Sequence, residues 1–485
     1  MSTFFSIRTC NFFFIGLIIF LAIPEAIAKP IYTISYSEAV KLALSNNPGF
    51  KSNRANIEAA QGAIIETRGS AFPKLNLEMN AARSNNPLNV FGYKLSQGNV
   101  SFADFGAAQF TGPDSLYTVP TALNQPGYYS NLDTAFNLLV PIYSGGEKKA
   151  RLIEARALLE SAQHGNSAAR SKLAYDILLA YEGVLASESV IAVTKKSVSA
   201  AGRFLDTTRK LTQQSLALES DVLLAESYLQ SSETSVEAAR MEWENHVDEF
   251  RTLIGLPESS LVPGKSVHFT DKNRSVSQLI RSALVNNPNL HEMKSNLKAS
   301  AANIKAVKSA NLPRINLQLR HDWNGETLGS GYPSNLIGLQ MNWLLFSAGE
   351  RSGIEQKAVA QFKKAGYQID DAMNLIKVTL NKAIRADKLA EIQYKTHLIN
   401  ANKARKGVDL LSARYGRGLV PLGQLLEAQM RLNDARHQLI LSEYNKKAAH
   451  GRLLMLTNEL IKPFASSPKV KVIALKDVGV LNNGK

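Results

Sequence analysis

Cysteine is nearly absent: the 485 residues hold one, Cys10. It lies in a leader segment described below, so the remainder has no thiol chemistry and no disulfide within the chain. Catalytic signatures are missing as well. The eight histidines are scattered, without the His-x-x-x-His spacing that sets two metal ligands on one helix face. No Gly-x-Ser-x-Gly elbow, P-loop or dinucleotide fingerprint occurs. These absences argue against an enzyme, a metal site or a cofactor. After the leader there is no run of about 18 apolar residues, so no transmembrane helix is expected. Membrane strands would escape that test, because they show only as short alternating segments. Proline is missing from two long stretches, Glu147 to about Leu211 and Glu350 to about Ser412.

The N-terminus reads as an export signal. Arg8 gives a positive start, Phe12 to Ile23 is an apolar core of signal length, and Ala26-Ile27-Ala28 supplies a small-x-small cleavage site. Residues 1–28 are therefore expected to be removed. The net charge of +15 survives cleavage, since Arg8 and Glu25 cancel. In an exported chain it reads as a solvated basic surface or attraction to acidic envelope partners rather than nucleic-acid binding.

The chain repeats itself. Ala43-Leu44-Ser45-Asn46-Asn47-Pro48 recurs as Ala283-Leu284-Val285-Asn286-Asn287-Pro288, and Phe72-Pro73-Lys74-Leu75-Asn76-Leu77 as Leu312-Pro313-Arg314-Ile315-Asn316-Leu317. Both matches have an offset of 240 residues (48 to 288, 73 to 313). Later matches have an offset of 203: Ile142 to Lys148 with Leu345 to Arg351, and Asp221 to Ala225 with Gln424 to Ala428. The first copy thus carries 37 more residues (240 less 203), all between its two strand-like segments.

Each copy follows one plan. A short amphipathic helix ends at Asn-Asn-Pro, and a second starts at the proline. Strands of period 2 follow. In copy one, Leu75, Leu77 and Met79 alternate with Asn76, Glu78 and Asn80; Leu132, Thr134, Phe136, Leu138 and Val140 mark the second strand. In copy two, Ile315, Leu317, Leu319, His321 and Trp323 alternate with Asn316, Gln318, Arg320 and Asp322, and Ile337, Leu339, Met341 and Trp343 follow. The connection over 84–130 is long and rich in Gly, Asn, Pro and aromatics, as suits an external loop; that over 324–334 is a short turn. The two proline-free stretches predict helices on the order of 95 Å long. Ile369, Ile376, Ala383 and Ala390, with Ala365, Ala372, Thr379 and Ala386, suggest a heptad seam of small side chains. Each long helix should turn and return, the second through Tyr415-Gly416-Arg417-Gly418-Leu419-Val420-Pro421. Basic residues before the first turn (Lys195, Lys196, Arg203, Arg209, Lys210) face acidic ones after it (Glu219, Asp221, Glu226, Glu233, Glu237), which reads as pairing within the hairpin.

Four strands of about ten residues have membrane-strand length but cannot close a barrel, and an open edge is untenable in lipid. Two protomers would give eight strands and three would give twelve. An eight-stranded barrel is filled by its own side chains, whereas a wider one conducts, so a trimer suits a channel better.

The duplicated Asn-Asn-Pro, the strand starts at Phe72-Pro73-Lys74-Leu75 and Leu312-Pro313-Arg314-Ile315, and the joints Ile142-Tyr143-Ser144-Gly145-Gly146 and Leu345-Phe346-Ser347-Ala348-Gly349 resemble the TolC family of outer-membrane efflux and secretion channels, from about Tyr36 to Glu459. The resemblance implies a mainly α fold with a small β part. Antiparallel helical hairpins would form an α-barrel, and four membrane β-strands per protomer would make a twelve-stranded β-barrel in a homotrimer with an equatorial collar. It implies docking to a periplasmic adaptor protein and an inner-membrane transporter, proton-driven or ATP-driven, and contact with outer-membrane lipid. On this reading 1–28 is the signal peptide and 29–270 the first repeat, with strands near 74–83 and 131–143 and a hairpin over 146–256. The second repeat is 271–460, with strands near 314–323 and 335–346 and a hairpin over 349–457, and 461–485 is a tail. The family closes its periplasmic tip with acidic groups and a Tyr/Arg/Asp network. Here Tyr415 matches the tyrosine, Asp221 an aspartate, and Gln424 and Glu427 fall where some members have aspartates. Val420 stands at the arginine, so the gate is expected to carry less charge or to be wired through Arg417. Ser215, Leu216, Gly418 and Leu419 fall where the family contacts its adaptor. A periplasmic coiled-coil adaptor is the alternative reading, since adaptors also have long helical hairpins; two duplicated strand pairs are not expected of one.

Overall fold

The structure is a computed structural model that describes residues 32–269, 274–328 and 331–460. The expected signal peptide and C-terminal tail lie outside these residues. The order is β1 (Tyr32–Ile34), α1 (Tyr36–Asn46), α2 (Pro48–Gly69), β2 (Lys74–Ser84), α3 (Pro87–Ser96), α4 (Thr121–Asn124), β3 (Tyr129–Tyr143), α5 (Glu147–Gln213) and α6 (Glu219–Leu253). Then come β4 (Leu261–Pro263), α7 (Val276–Asn286), α8 (Pro288–Lys308), β5 (Arg314–Gly325), β6 (Tyr332–Asn342), α9 (Glu350–Tyr415) and α10 (Leu422–Leu456). The chain is mainly helical with a small β part.

Local chemistry sets the boundaries twice over. Ser35 caps α1 in a box with Glu38, and Ser275 caps α7 in a box with Gln278. Asn47 and Asn287 accept from the Phe50 and Leu290 amides, with Pro48 and Pro288 in the first turn. The long helices α5 and α9, of 67 and 66 residues, extend for about 100 Å. Each begins after a left-handed glycine, Gly146 or Gly349. One stretch of α5 has a mean hydropathy of 1.5, enough for a membrane span by composition alone. This differs from the expectation of no such segment. The helix, however, packs along α6, α8, α2 and α10.

Seven of the eight heptad positions are buried or half-buried, Ala365, Ala372 and Thr379 among the latter. Ile369, Ala383 and Ala390 are buried and Ile376 half-buried, whereas Ala386 is exposed. A straight helix of 3.6 residues per turn drifts by about 20° per heptad, which carries the last position of the second series off the half-buried side.

Near the middle of α5 the largest core gathers Tyr36, Ile177, Leu178, Tyr181, Phe250 and Ile254. Its two tyrosine hydroxyls are satisfied: that of Tyr36 donates to the Ala174 carbonyl at 2.8 Å, and that of Tyr181 serves the Ile34 and Lys265 carbonyls and the Gly264 amide. Buried Glu182 accepts from Ser266, the Val267 amide and Lys447. These bonds fix the short parallel pair β1–β4 against the long helix.

The remaining strands form one antiparallel sheet, in the order β2-β3-β5-β6. Two boundaries differ from expectation. The last strand is Tyr332–Asn342, not 335–346, because Asn342 pairs with Arg314 and Pro313 ends the partner there. Its start is earlier because the turn is tighter, Asn324 pairing with Tyr332. The segment 84–130 is no open loop: it folds into α3, three 3-10 turns and α4.

Candidate functional site

The candidate residues gather in two regions, the hairpin turns of the long helices and the four-stranded sheet. At the far end of the helices, both hairpins turn by the same hydrogen bonds. Leu216 donates to the Leu211 carbonyl at 2.8 Å, and Leu419 to the Arg414 carbonyl at 3.1 Å. Ser215 donates to Thr212, and Gly418 to Tyr415. Ser215 and Gly418 both have left-handed backbone, φ 60° and 69°, which closes a helix C-terminus in this way. Ser215, Leu216, Gly418 and Leu419 are all exposed at these turns.

The turns are clamped together above the tip. Leu211, Val222 and Ala225 of the first hairpin pack with Tyr415, Leu422, Leu425 and Leu426 of the second. Tyr415 is buried, and its hydroxyl lies 2.7 Å from Thr208 Oγ1. Burial pushes the Tyr415 phenol up from its usual pKa, so it stays protonated. Higher on the same seam Gln429 donates to Asn433, and Asn433 to Ser197 at 2.9 Å. Asp221 is half-buried and accepts from the Leu218 amide at 3.2 Å, capping α6. Glu427 lies outside this cluster, exposed and paired with Arg431 on its own helix at 2.7 Å. Gln424 and Arg417 are exposed, and the Arg417 side chain has no partner among the described residues. The structure therefore brings Tyr415 and Asp221 to one cluster and leaves Glu427, Gln424 and Arg417 on its surface. Sequence reading missed Thr208, an unremarkable helix threonine until its partner is known.

At the other end, the sheet has two unlike faces. Leu75, Leu77, Met79, Phe136, Ile337, Leu339 and Met341 are exposed on one. The other is polar and centred on Arg320. Its guanidinium reaches Asp133 at 2.7 Å, Glu78 at 3.0 Å and Asp322 at 3.4 Å. Asn137 donates to Glu78, Gln318 to Asn137, and Asn324 and Ser334 to Asp322. Three carboxylates on one cation leave a surplus of negative charge within this cluster. The alternation announces a polar face; it does not announce these partners, which depend on the cross-strand register. Both outer strands have a free edge among the described residues, β2 pairing only with β3 and β6 only with β5.

Comparison with known proteins gives consistent matches. A family model described as outer membrane efflux protein matches residues 39–256 and 279–459. The outer membrane protein TolC of Vibrio cholerae is 21% identical over 445 residues, covering 88% of this chain and 93% of that protein. The TolC of Salmonella enteritidis is 25% identical over 308 residues, 58% of this chain, and the match spans 62% of that relative's length. Among solved structures, the CmeC outer membrane channel of Campylobacter jejuni superposes with a TM-score of 0.71 at 15% identity, covering 96% of this chain and 98% of that one.

Proposed function

The chain belongs to the outer membrane efflux protein family, and on that premise we propose that it is the outer-membrane exit duct of a tripartite efflux pump or type I secretion system. The sheet carries this reading. One face is apolar and open to its surroundings, the other is a charged network, and both edges are unpaired among the described residues. Lipid suits the first face, a water-filled lumen the second, and neighbouring copies the edges. Three protomers give twelve strands, wide enough to conduct. Helices of about 100 Å then continue the lumen into the periplasm. The offsets of 240 and 203, with matching caps and turns, support a duplicated unit in each protomer.

At the periplasmic tip, Asp221, Gln424 and Glu427, with Tyr415 and Arg417, make up the gate region. Within it Tyr415 acts inside the protomer, since its hydroxyl is used by Thr208. Closure between protomers falls to the groups outside that bond, of which exposed Glu427 and half-buried Asp221 are anionic. The turn residues Ser215, Leu216, Gly418 and Leu419 would receive a periplasmic adaptor, which links the duct to an inner-membrane transporter. Residues 1–28 would direct export and be removed.

In planar bilayers the purified protein should give discrete conductance steps, and the double variant Asp221→Ala, Glu427→Ala should give larger ones. A wild type without steps would refute the duct. Steps unchanged in the double variant would refute the gate assignment alone.

A further inference from the structure

The 37 residues that distinguish the first copy do not stand away from the sheet. Their first helix, α3, lies on one of its faces, and the register identifies which. Gln97 is buried at the end of α3. Its Nε2 donates to Asn131 Oδ1 at 2.8 Å and to the Ser130 carbonyl at 2.9 Å, while the Tyr129 hydroxyl donates to its Oε1 at 2.9 Å. Asn131 passes the chain to Asn324 at 2.8 Å, and Asn324 to Asp322 at 2.9 Å. Lys94 sits over the Tyr129 ring and pairs with Asp104 at 2.6 Å. A Cβ on Gly98 would lie 3.1 Å from the Tyr332 ring.

Successive strand residues point to opposite faces. Asn131 and Asp133 alternate with Leu132 and Thr134; Asp322 and Asn324 alternate with Trp323. Tyr332 pairs with Asn324 and so shares its face. The anchors Tyr129, Asn131, Asn324 and Tyr332 therefore all stand on the polar face that carries Arg320. All four lie at the end of the sheet remote from the helices. The start of the inserted segment is thus on the side that the duct reading makes lumenal, at the outer end of the sheet, and not on the lipid side.

The remainder of the segment is knitted to α3. Phe91 packs edge-on to Phe105, Asp104 accepts from the Ser101 amide, and Gln109 is bonded to Thr121 in both directions. Beyond these contacts Phe102, Leu116, Tyr117 and Val119 remain exposed.

We propose that residues 87–124 of each protomer form a constriction inside the outer mouth of the barrel, held by Gln97 and Lys94, which sets the largest solute the duct releases. This rests on the duct reading. It makes the exit one for small solutes, with only six residues separating β5 from β6 at the corresponding place in the second copy. A segment anchored through buried hydrogen bonds narrows the lumen at rest, unlike a mobile surface loop.

The test uses the full chain in planar bilayers. Replacing 87–124 by a short Gly-containing turn should raise single-channel conductance about two-fold or more and admit larger organic cations. Independently, Ser96→Cys, at an exposed site on α3, puts a thiol where residues 11–485 have none. A bulky maleimide added from the outer side should then block most of the current, and the same treatment of wild type should do nothing. If channels form and Ser96→Cys conducts unchanged after labelling, the segment lies outside the lumen and the inference fails, whatever the deletion does. If the wild type forms no channels at all, the duct reading fails first.

Discussion

The two copies of the repeat share their backbone devices and differ in the side chains that face each other. Ser35 and Ser275, Asn47 and Asn287, Gly146 and Gly349, and Ser215 and Gly418 play the same parts at the same offsets. Yet at two contacts between the copies, each supplies what the other lacks. In the sheet, copy one brings Glu78 and Asp133 and copy two brings Arg320; the residue at the Arg320 position in copy one is Asn80. At the tip, copy one brings Thr208 and copy two brings Tyr415, where copy one has Thr212. Identical copies would set like charge against like in the sheet and leave no small partner for the phenol at the tip. Divergence at contacts thus makes the copies bind one another, while conserved caps and turns keep each folding the same way.

At the strand-to-helix joint the copies share a left-handed backbone and differ in the residue that adopts it. Gly145 has φ 64°, and a Cβ there would stand 2.6 Å from the Ser309 carbonyl. Its counterpart Ala348 tolerates φ 46°. Gly145→Ala should therefore destabilise the protein by roughly 2–4 kcal/mol, from left-handed strain and overpacking together. Ala348→Gly should stabilise it by about 0.5–1 kcal/mol by relieving strain. Thermal melting in detergent reads both; equal responses at the two joints would break the comparison.

Arg320→Gln removes the cation that three carboxylates share. A loss of about 2 kcal/mol is expected, less than for a fully buried network because the guanidinium is 24% exposed. Restoring the balance with Asp133→Asn in the same chain should recover part of it. A double variant no more stable than Arg320→Gln would show that the charges are not coupled.

Tyr415→Phe is the mildest of these changes. It deletes one hydrogen bond and leaves Thr208 bonded to the Phe204 carbonyl, so about 1 kcal/mol is expected. Hydrogen exchange near the tip should rise locally with the middle of α5 unaffected. Exchange rising throughout would make Tyr415 a global support instead of a clamp between the hairpins.

Much of the fold was legible because it rests on local rules. Pro48 and Pro288 start helices, and proline-free stretches lengthen them. Period 2 from Leu75 to Asn80 announces a strand with two faces. What was not legible depends on register and on long-range partners. Arg320 reads as one polar residue among several until β5 is set against β3. Thr208 reads as filler until α9 is set against α5. The 335–346 expectation overran because apolar Trp343, Leu344, Leu345 and Phe346 resemble a strand, while pairing stops at Pro313. The segment 84–130 reads as an outward loop from its Gly, Asn and Pro content; Gln97, which ties it to the polar face of the sheet, has no signature of its own.

The central claim is that the unpaired edges of β2 and β6 are closed by two further copies. It is tested most directly by fractionating the envelope and measuring the protein's mass in detergent. An outer-membrane species of three protomers is the predicted result. A soluble periplasmic monomer or dimer would contradict the barrel and with it the duct.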